Sequence, residues 1–201
     1  MIRNILCDIG NVILFFDLDP ALRQLARRPG LSEQEALARL VHHRDLMEIG
    51  RTSPPEFLNA LRVDLGFPGT PAEARAIYAD IFTLNEPMAA AIEKWKASGL
   101  RLVLFSNISP IHADFVQERY PVFSHFDDAI FSFRTGDMKP HDGMYREAVK
   151  DLGLEPAETF YIDDNPANCE TGRRYGFVTH LYEGNKHDDL LAALAAAGLE
   201  G

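Results

Sequence analysis

The stretch CDIGNV, residues 7–12, decides how the rest of the chain is read. Ile5-Leu6-Cys7 is a short apolar run of strand type, and it delivers Asp8 into a turn that contains Gly10. An aspartate released at a strand end serves as a nucleophile, a metal ligand or a plain turn residue. A second carboxylate two residues on would settle the matter, but that position is Gly10. The answer has to come from what the chain brings near Asp8.

Outward from this stretch, residues 2–7 and 12–16 read as strands, and the pattern then turns helical. Asp19-Pro20 has the form of an N-cap followed by proline at the first helical position. Ser32-Glu33-Gln34-Glu35 is a capping box, and Pro54-Pro55 and Pro71 open two further helices. Residues 17 to about 86 therefore read as a helical block without a strand. Beyond it strands and helices alternate. Helix 87–98 stops at Gly99, and strand 101–105 (RLVLF) is followed by helix 110–119. Strand 129–133 precedes helix 142–152 and strand 159–162. Helix 166–175, strand 177–181 and a terminal helix at 188–197 complete the pattern. Strands separated by single helices imply right-handed crossovers. The expected fold is α/β: a doubly wound parallel, Rossmann-like sheet core of residues 1–16 and 87–201, with an inserted α-helical cap subdomain at 17–86. In such sheets ligands sit outside the carboxyl ends of the strands.

Composition narrows the classes. The 201 residues hold 46% hydrophobic and 25% charged side chains, an ordinary globular balance. A formal net charge of -10 opposes nucleic-acid binding and docking on anionic membranes. It leaves room for a small phosphorylated substrate in a locally positive pocket. No window approaches the roughly 18 apolar residues of a membrane span. The N-terminal apolar run is too short for a signal peptide. Two cysteines without zinc spacing suit a reduced, cytoplasmic setting, and the chain is expected as a monomer or homodimer.

Four strand or helix edges carry chemistry. The first strand ends at Asp8, and the 101–105 strand at Ser106-Asn107. The 159–162 strand ends at Asp163-Asp164, and Lys139 precedes the 142–152 helix. A carboxylate, a hydroxyl, an ammonium and an acidic pair at one sheet edge suit a phosphate monoester with a divalent cation. In order and placement, "CDIGNV", "LFSNIS", "GDMKPH" and "FYIDDNPAN" resemble the haloacid dehalogenase-like hydrolase superfamily, most of whose members are phosphatases. "DIGNV" with "DDNPAN" is most similar to its bacterial glucose-1-phosphatase-like sugar phosphatases.

The resemblance implies that Asp8 attacks phosphorus to form an aspartyl-phosphate that water cleaves. It implies that Asp8, the Gly10 carbonyl and Asp164 hold Mg²⁺, with Asp163 touching the metal directly or supporting it from behind. It implies that Ser106, the Asn107 backbone and Lys139 hold the phosphate oxygens, with the Ile9 and Gly10 amides lining the same cradle. Ser106 and Lys139 join Asp8 as the catalytic set. The helical block becomes the family's cap, which chooses the substrate.

In most phosphatases of this family the residue at position 10 is a second aspartate, the general acid and base. Its absence has three readings. Asp17, the nearest carboxylate, takes over; the leaving group is good, as in an anomeric sugar phosphate; or the protein is a poor catalyst that mainly binds. Glucose-1-phosphatase-like members also carry glycine there, which supports the second. The functional expectation is a Mg²⁺-dependent phosphatase acting on a small phosphorylated metabolite, with a sugar phosphate as the leading class. The alternatives are a metal-free 2-haloacid dehalogenase and a catalytically idle ligand-binding module. Glu48-Ile49-Gly50-Arg51 ends a helix with a loop that could face the nucleophile; Arg44 and Arg51 contact a substrate hydroxyl or second phosphate, or are surface arginines. Cys7, His42 and His43 read as packing or surface residues, and His141 as a residue of the site's rim or of the surface.

Overall fold

The computed structural model describes residues 1–199; residues 200 and 201, the last two of the expected core segment, lie outside the described residues. β1 (Asn4–Cys7) is the middle strand of a five-stranded sheet. β4 (Arg101–Ser106) and β6 (Thr159–Asp163) flank it, β5 (Asp128–Phe131) lies outside β4, and β7 (Val178–Leu181) lies outside β6. All four pairings are parallel. Ile5, Leu6 and Cys7 are fully buried. Such a run, apolar without alternation, is what a strand covered by helices on both faces requires.

The crossovers are α5 (Glu86–Ala97), α6 (Pro110–Arg119), α8 (Asp142–Arg146, widening into a turn over Glu147–Asp151) and α9 (Pro166–Arg174). α10 (His187–Ala196) closes the chain's last turn around the sheet. Two apolar layers result. One packs Trp95, Leu104, Val116 and Leu190, and the other packs Phe105, Tyr145, Tyr161 and Phe177.

Between β2 (Leu14–Phe16) and β3 (Phe82–Leu84) the chain leaves for four helices: α1 (Asp19–Leu25), α2 (Glu33–Glu48), α3 (Pro54–Asp64) and α4 (Pro71–Ala79). Ser32, Ser53 and Thr70 each form a capping box with the glutamate three residues on, which fixes three of the four starts. The helices enclose their own apolar cluster of Leu40, Met47, Phe57, Leu61 and Tyr78, which closes onto Ile111 of α6.

Local structure departs from the sequence expectation in a few places. Residues 17–86 do contain a strand: β3 pairs antiparallel with β2, so both chain crossings into the helical segment are clamped as one ribbon. Three residues are too few to show a period, and only the distant partner makes them a strand. β5 stops at Phe131, because Ser132–Thr135 coil into α7, ended by Gly136 in the left-handed region. The N-cap of α1 is Leu18 rather than Asp19; the carboxylate of Asp17 accepts the Asp19 N–H instead. Among the described residues no helix is long and apolar enough to cross a membrane.

Candidate active site

The register of the three central strands builds the site. Cys7 lies opposite Leu104 on one side and Ile162 on the other, so Asp8 leaves the sheet beside the ends of β4 and β6. Its backbone N–H still donates to Ile162 O (3.0 Å), which holds the residue in the line of the strand. The following N–H, that of Ile9, donates to Asp8 Oδ1 at 2.8 Å, and Lys139 Nζ stands 3.2 Å from the same oxygen. The Ile9 amide therefore orients Asp8 rather than lining a phosphate cradle.

Lys139 is buried, with its ammonium 2.6 Å from Asp163 Oδ2 and donating to Phe105 O at 2.5 Å. Asn107 fixes its backbone: the side-chain amide donates to Lys139 O (2.9 Å), and its carbonyl accepts Lys139 N–H (2.8 Å). The Asn107 side chain is thus spent on Lys139, leaving its main chain for any ligand. Burial disfavours the ammonium, but Asp163 and Asp8 outweigh it and hold the Lys139 pKa above its ordinary value.

Asp163, which ends β6, is fully buried and fully engaged. Oδ2 accepts from Lys139 and from the Tyr161 hydroxyl (2.6 Å). Oδ1 accepts from the Asn165 N–H and the Asn168 amide, both at 2.9 Å. Of the two expected roles, this geometry favours support: Asp163 anchors the lysine from behind. Asp164 is less buried, and Asn11 donates to its Oδ2 at 3.0 Å. Asn11 reaches it from a left-handed backbone (φ 53°), a region asparagine tolerates better than most residues.

Asp8, Asp163 and Asp164 each present an oxygen within 4.8 Å of the others. Burial pushes the Asp8 carboxyl upward, with Asp163 and Asp164 adding to the rise against Lys139 and the Ser106 hydroxyl. Burial and Asp163 likewise raise Asp164. Three carboxylates against one ammonium leave two negative charges uncompensated. The donors are hard oxygens, so the arrangement fits a small divalent cation such as Mg²⁺.

Asp8, Gly10, Ser106, Lys139, Asp164 and Glu48 share a cleft of about 410 Å³. A recess of about 90 Å³ continues from it beneath Phe16, Leu18, Ile81 and Phe82. Asp8, Gly10, Ser106, Asn107, Lys139 and Asp164, the metal, phosphate and catalytic set expected from the sequence, thus lie on one edge. Asp17 does not join them; it is exposed and occupied with the start of α1. Arg44 lines the cleft, paired with Asp45 at 2.8 Å, whereas Arg51 is exposed. His141 is turned to solvent beside Asp137, and His43 pairs with Asp64 within the helical segment. Burial pushes the Cys7 thiol up, in keeping with a packing residue.

The sequence does not mark Tyr161, Asn168 or Asn11 as site residues, and it marks Glu48 only as part of the helix-end loop Glu48-Ile49-Gly50-Arg51, with no role of its own. For Asn11 and Asn168 the only available signal was their place inside the motifs. Tyr161 reads as an ordinary strand aromatic.

A family model for haloacid dehalogenase-like hydrolases matches residues 2–176. A D-ribitol-5-phosphate phosphatase of Bacteroides thetaiotaomicron is 28% identical over 192 residues, which cover 89% of this chain and 91% of the relative. A HAD family enzyme of the same organism, solved with magnesium and inorganic phosphate, superposes with a TM-score of 0.80 at 22% identity, covering 92% of this chain and 96% of that one. A predicted HAD-like family hydrolase of Porphyromonas gingivalis superposes with a TM-score of 0.76 at 25% identity, over the whole of both chains.

Proposed function

The chain belongs to the haloacid dehalogenase-like hydrolase family, and we propose that it is a Mg²⁺-using phosphatase whose substrate is a small sugar or polyol phosphate, cleaved through an aspartyl-phosphate on Asp8. The observation that carries this reading is the buried Asp8–Lys139–Asp163 arrangement with Asp164 beside it. A carboxylate oriented by the Ile9 N–H and a fixed ammonium is ready for in-line attack.

In the first step an Asp8 oxygen bonds to phosphorus, and the bond from phosphorus to the ester oxygen breaks. In the second, water attacks phosphorus and the acyl phosphate opens, which restores Asp8 and releases inorganic phosphate. Lys139 lowers the repulsion between Asp8 and the incoming dianion and, with the Ser106 hydroxyl and the Asn107 main chain, holds the transferred oxygens. Asp8, Asp164 and the Gly10 carbonyl would hold Mg²⁺, which would supply charge neutralisation on the phosphate oxygens. The segment 17–86 serves as a cap over the core of 1–16 and 87–201. The polar cleft suits a hydroxylated leaving group, and the polyol-phosphate relative supports the same class. Three clustered carboxylates speak against a metal-free dehalogenase, which gains nothing from them.

Phosphate release from a panel of sugar and polyol phosphates, with and without Mg²⁺, tests the reading. Turnover that needs Mg²⁺ and disappears in Asp8→Asn is the expected result. Halide release from 2-haloacids that persists in a chelator, or phosphate binding without turnover, would overturn it.

A further inference from the structure

We propose that Glu48, the last residue of α2, is the general acid and base that position 10 lacks, delivered from the helical segment. This inference rests on the phosphatase reading and adds the proton-transfer group.

Position 10 is crowded by a neighbouring ring. A Cβ there would stand 3.3 Å from Cε1 of Phe16, whose ring fills that space. Glu48 lines the same cleft as Asp8, Gly10 and Ser106, and the same recess as Gly10 and Phe16. Its side chain is only 13% exposed, yet among the described residues its one ionic neighbour within 4 Å is Arg44, at 3.8 Å. Arg44 itself lies closer to Asp45. A buried carboxylate so loosely paired is unfavourable for stability alone, which points to use.

The end of α2 is also held in place. Gly50 sits in the left-handed region (φ +70°), and a Cβ there would come within 2.5 Å of Phe133 O in the core. This close approach docks the helix end beside the sheet edge.

The groups facing Glu48 come from several elements: Arg44 and Asp45 on its own helix, Asp8 at the end of β1, Tyr78 on α4 and His112 on α6. Burial pushes the Glu48 carboxyl up to about 7, with Asp45 and Asp8 raising it and Arg44 opposing. Both protonation states are then populated near neutral pH, as an acid that later acts as a base requires. In the first step the Glu48 proton passes to the ester oxygen as its bond to phosphorus breaks, and the alcohol leaves neutral. In the second the Glu48 carboxylate takes a proton from the water that attacks phosphorus, which restores the acid.

Glu48→Gln and Glu48→Asp, compared with wild type on an alkyl phosphate (D-ribitol 5-phosphate) and on p-nitrophenyl phosphate, test the assignment. For the alkyl ester, kcat of Glu48→Gln is expected to fall about 10²-fold, within the range for general acid–base groups. Phenolate needs no proton, so the same variant still releases a rapid burst of one p-nitrophenolate per enzyme and then turns over slowly. Glu48→Asp keeps the proton and retains more alkyl-ester activity than Glu48→Gln. Equal slowing of the burst and of alkyl turnover, or unchanged kcat for both esters, would overturn the assignment. Wild type that releases no phosphate from either ester would overturn the phosphatase reading and this one with it.

Discussion

The two walls of the cleft are built by different rules. On the sheet side, Lys139 and Asp163 are locked by partners from four segments: Phe105 on β4, Asn107 in the loop after it, Tyr161 on β6, and Asn168 on α9. The Lys139 ammonium and both Asp163 carboxylate oxygens have partners at hydrogen-bond distance, which preorganises the charges that phosphate meets. On the helical side, Glu48 is held only loosely, 3.8 Å from an Arg44 that bonds Asp45 instead, on a segment with its own apolar cluster joined to the core through the β2–β3 ribbon. The sheet wall is suited to the part of the reaction common to all phosphate esters. The helical wall is suited to the part that differs between them, the leaving group.

The sharpest way to break this comparison is to remove the lock. Lys139→Met keeps the length of the side chain but leaves Asp163 buried without its cation. Breaking such a pair from one side costs about 3–5 kcal/mol. Chemical denaturation should show a loss of that order, and phosphate release should fall to background even in the folded fraction. Full stability in the variant would mean that Tyr161, Asn165 and Asn168 suffice for Asp163, and that the lysine serves the substrate alone.

The same contrast explains what the sequence made legible. Asp8, Ser106, Asp163 and Asp164 end or follow strands, and Lys139 precedes a helix, so a linear reading of apolar runs and turn residues finds all five. The parallel, doubly wound character of the sheet follows from the alternation of elements. Glu48 is marked only by its place at a helix end: nothing in the sequence gives it a role, and its burial comes from how α2 lies on the core. β3 is three residues long and exists through its pairing with β2. Asp17, nearest in sequence among the carboxylates, lost to Glu48 because folding brings the distant residue to the cleft and turns the near one to solvent.

A second test concerns the junction between the walls. His112 on α6 is buried, stacks on Tyr78 of α4 with centroids 4.2 Å apart, and bonds Tyr78 O at 2.9 Å. A carbonyl can only accept, so the Nε2–H tautomer is present. Burial lowers its pKa to about 4 from 6.5, with the bond to Tyr78 O opposing. The unfolded chain therefore binds the extra proton between those values. Stability conferred by this residue is full above about pH 6.5, declines as pH falls toward 4, and levels off below that. At 1.36 kcal/mol per unit the ceiling is about 3 kcal/mol. Denaturation midpoints between pH 7 and 4.5 should fall more steeply in wild type than in His112→Asn; parallel slopes would remove His112 from the junction's pH response.

The smallest effect isolates how firmly the helical wall is set on the sheet wall. Gly30 and Gly50 share the left-handed backbone, with φ of +78° and +70°. A Cβ at Gly30 meets nothing within 4 Å, whereas one at Gly50 runs into Phe133 O. Gly30→Ala thus measures backbone strain alone, about 1 kcal/mol, with unchanged turnover. Gly50→Ala adds the displacement of the end of α2, two residues from Glu48. It should cost more than Gly30→Ala in melting temperature and also lower kcat on alkyl phosphates, while the aryl burst persists, because only the proton donor has moved. If the two alanines behave alike, the close approach at Phe133 does not position the helix end, and the helical wall finds its place through the β2–β3 ribbon and the packing on Ile111 instead.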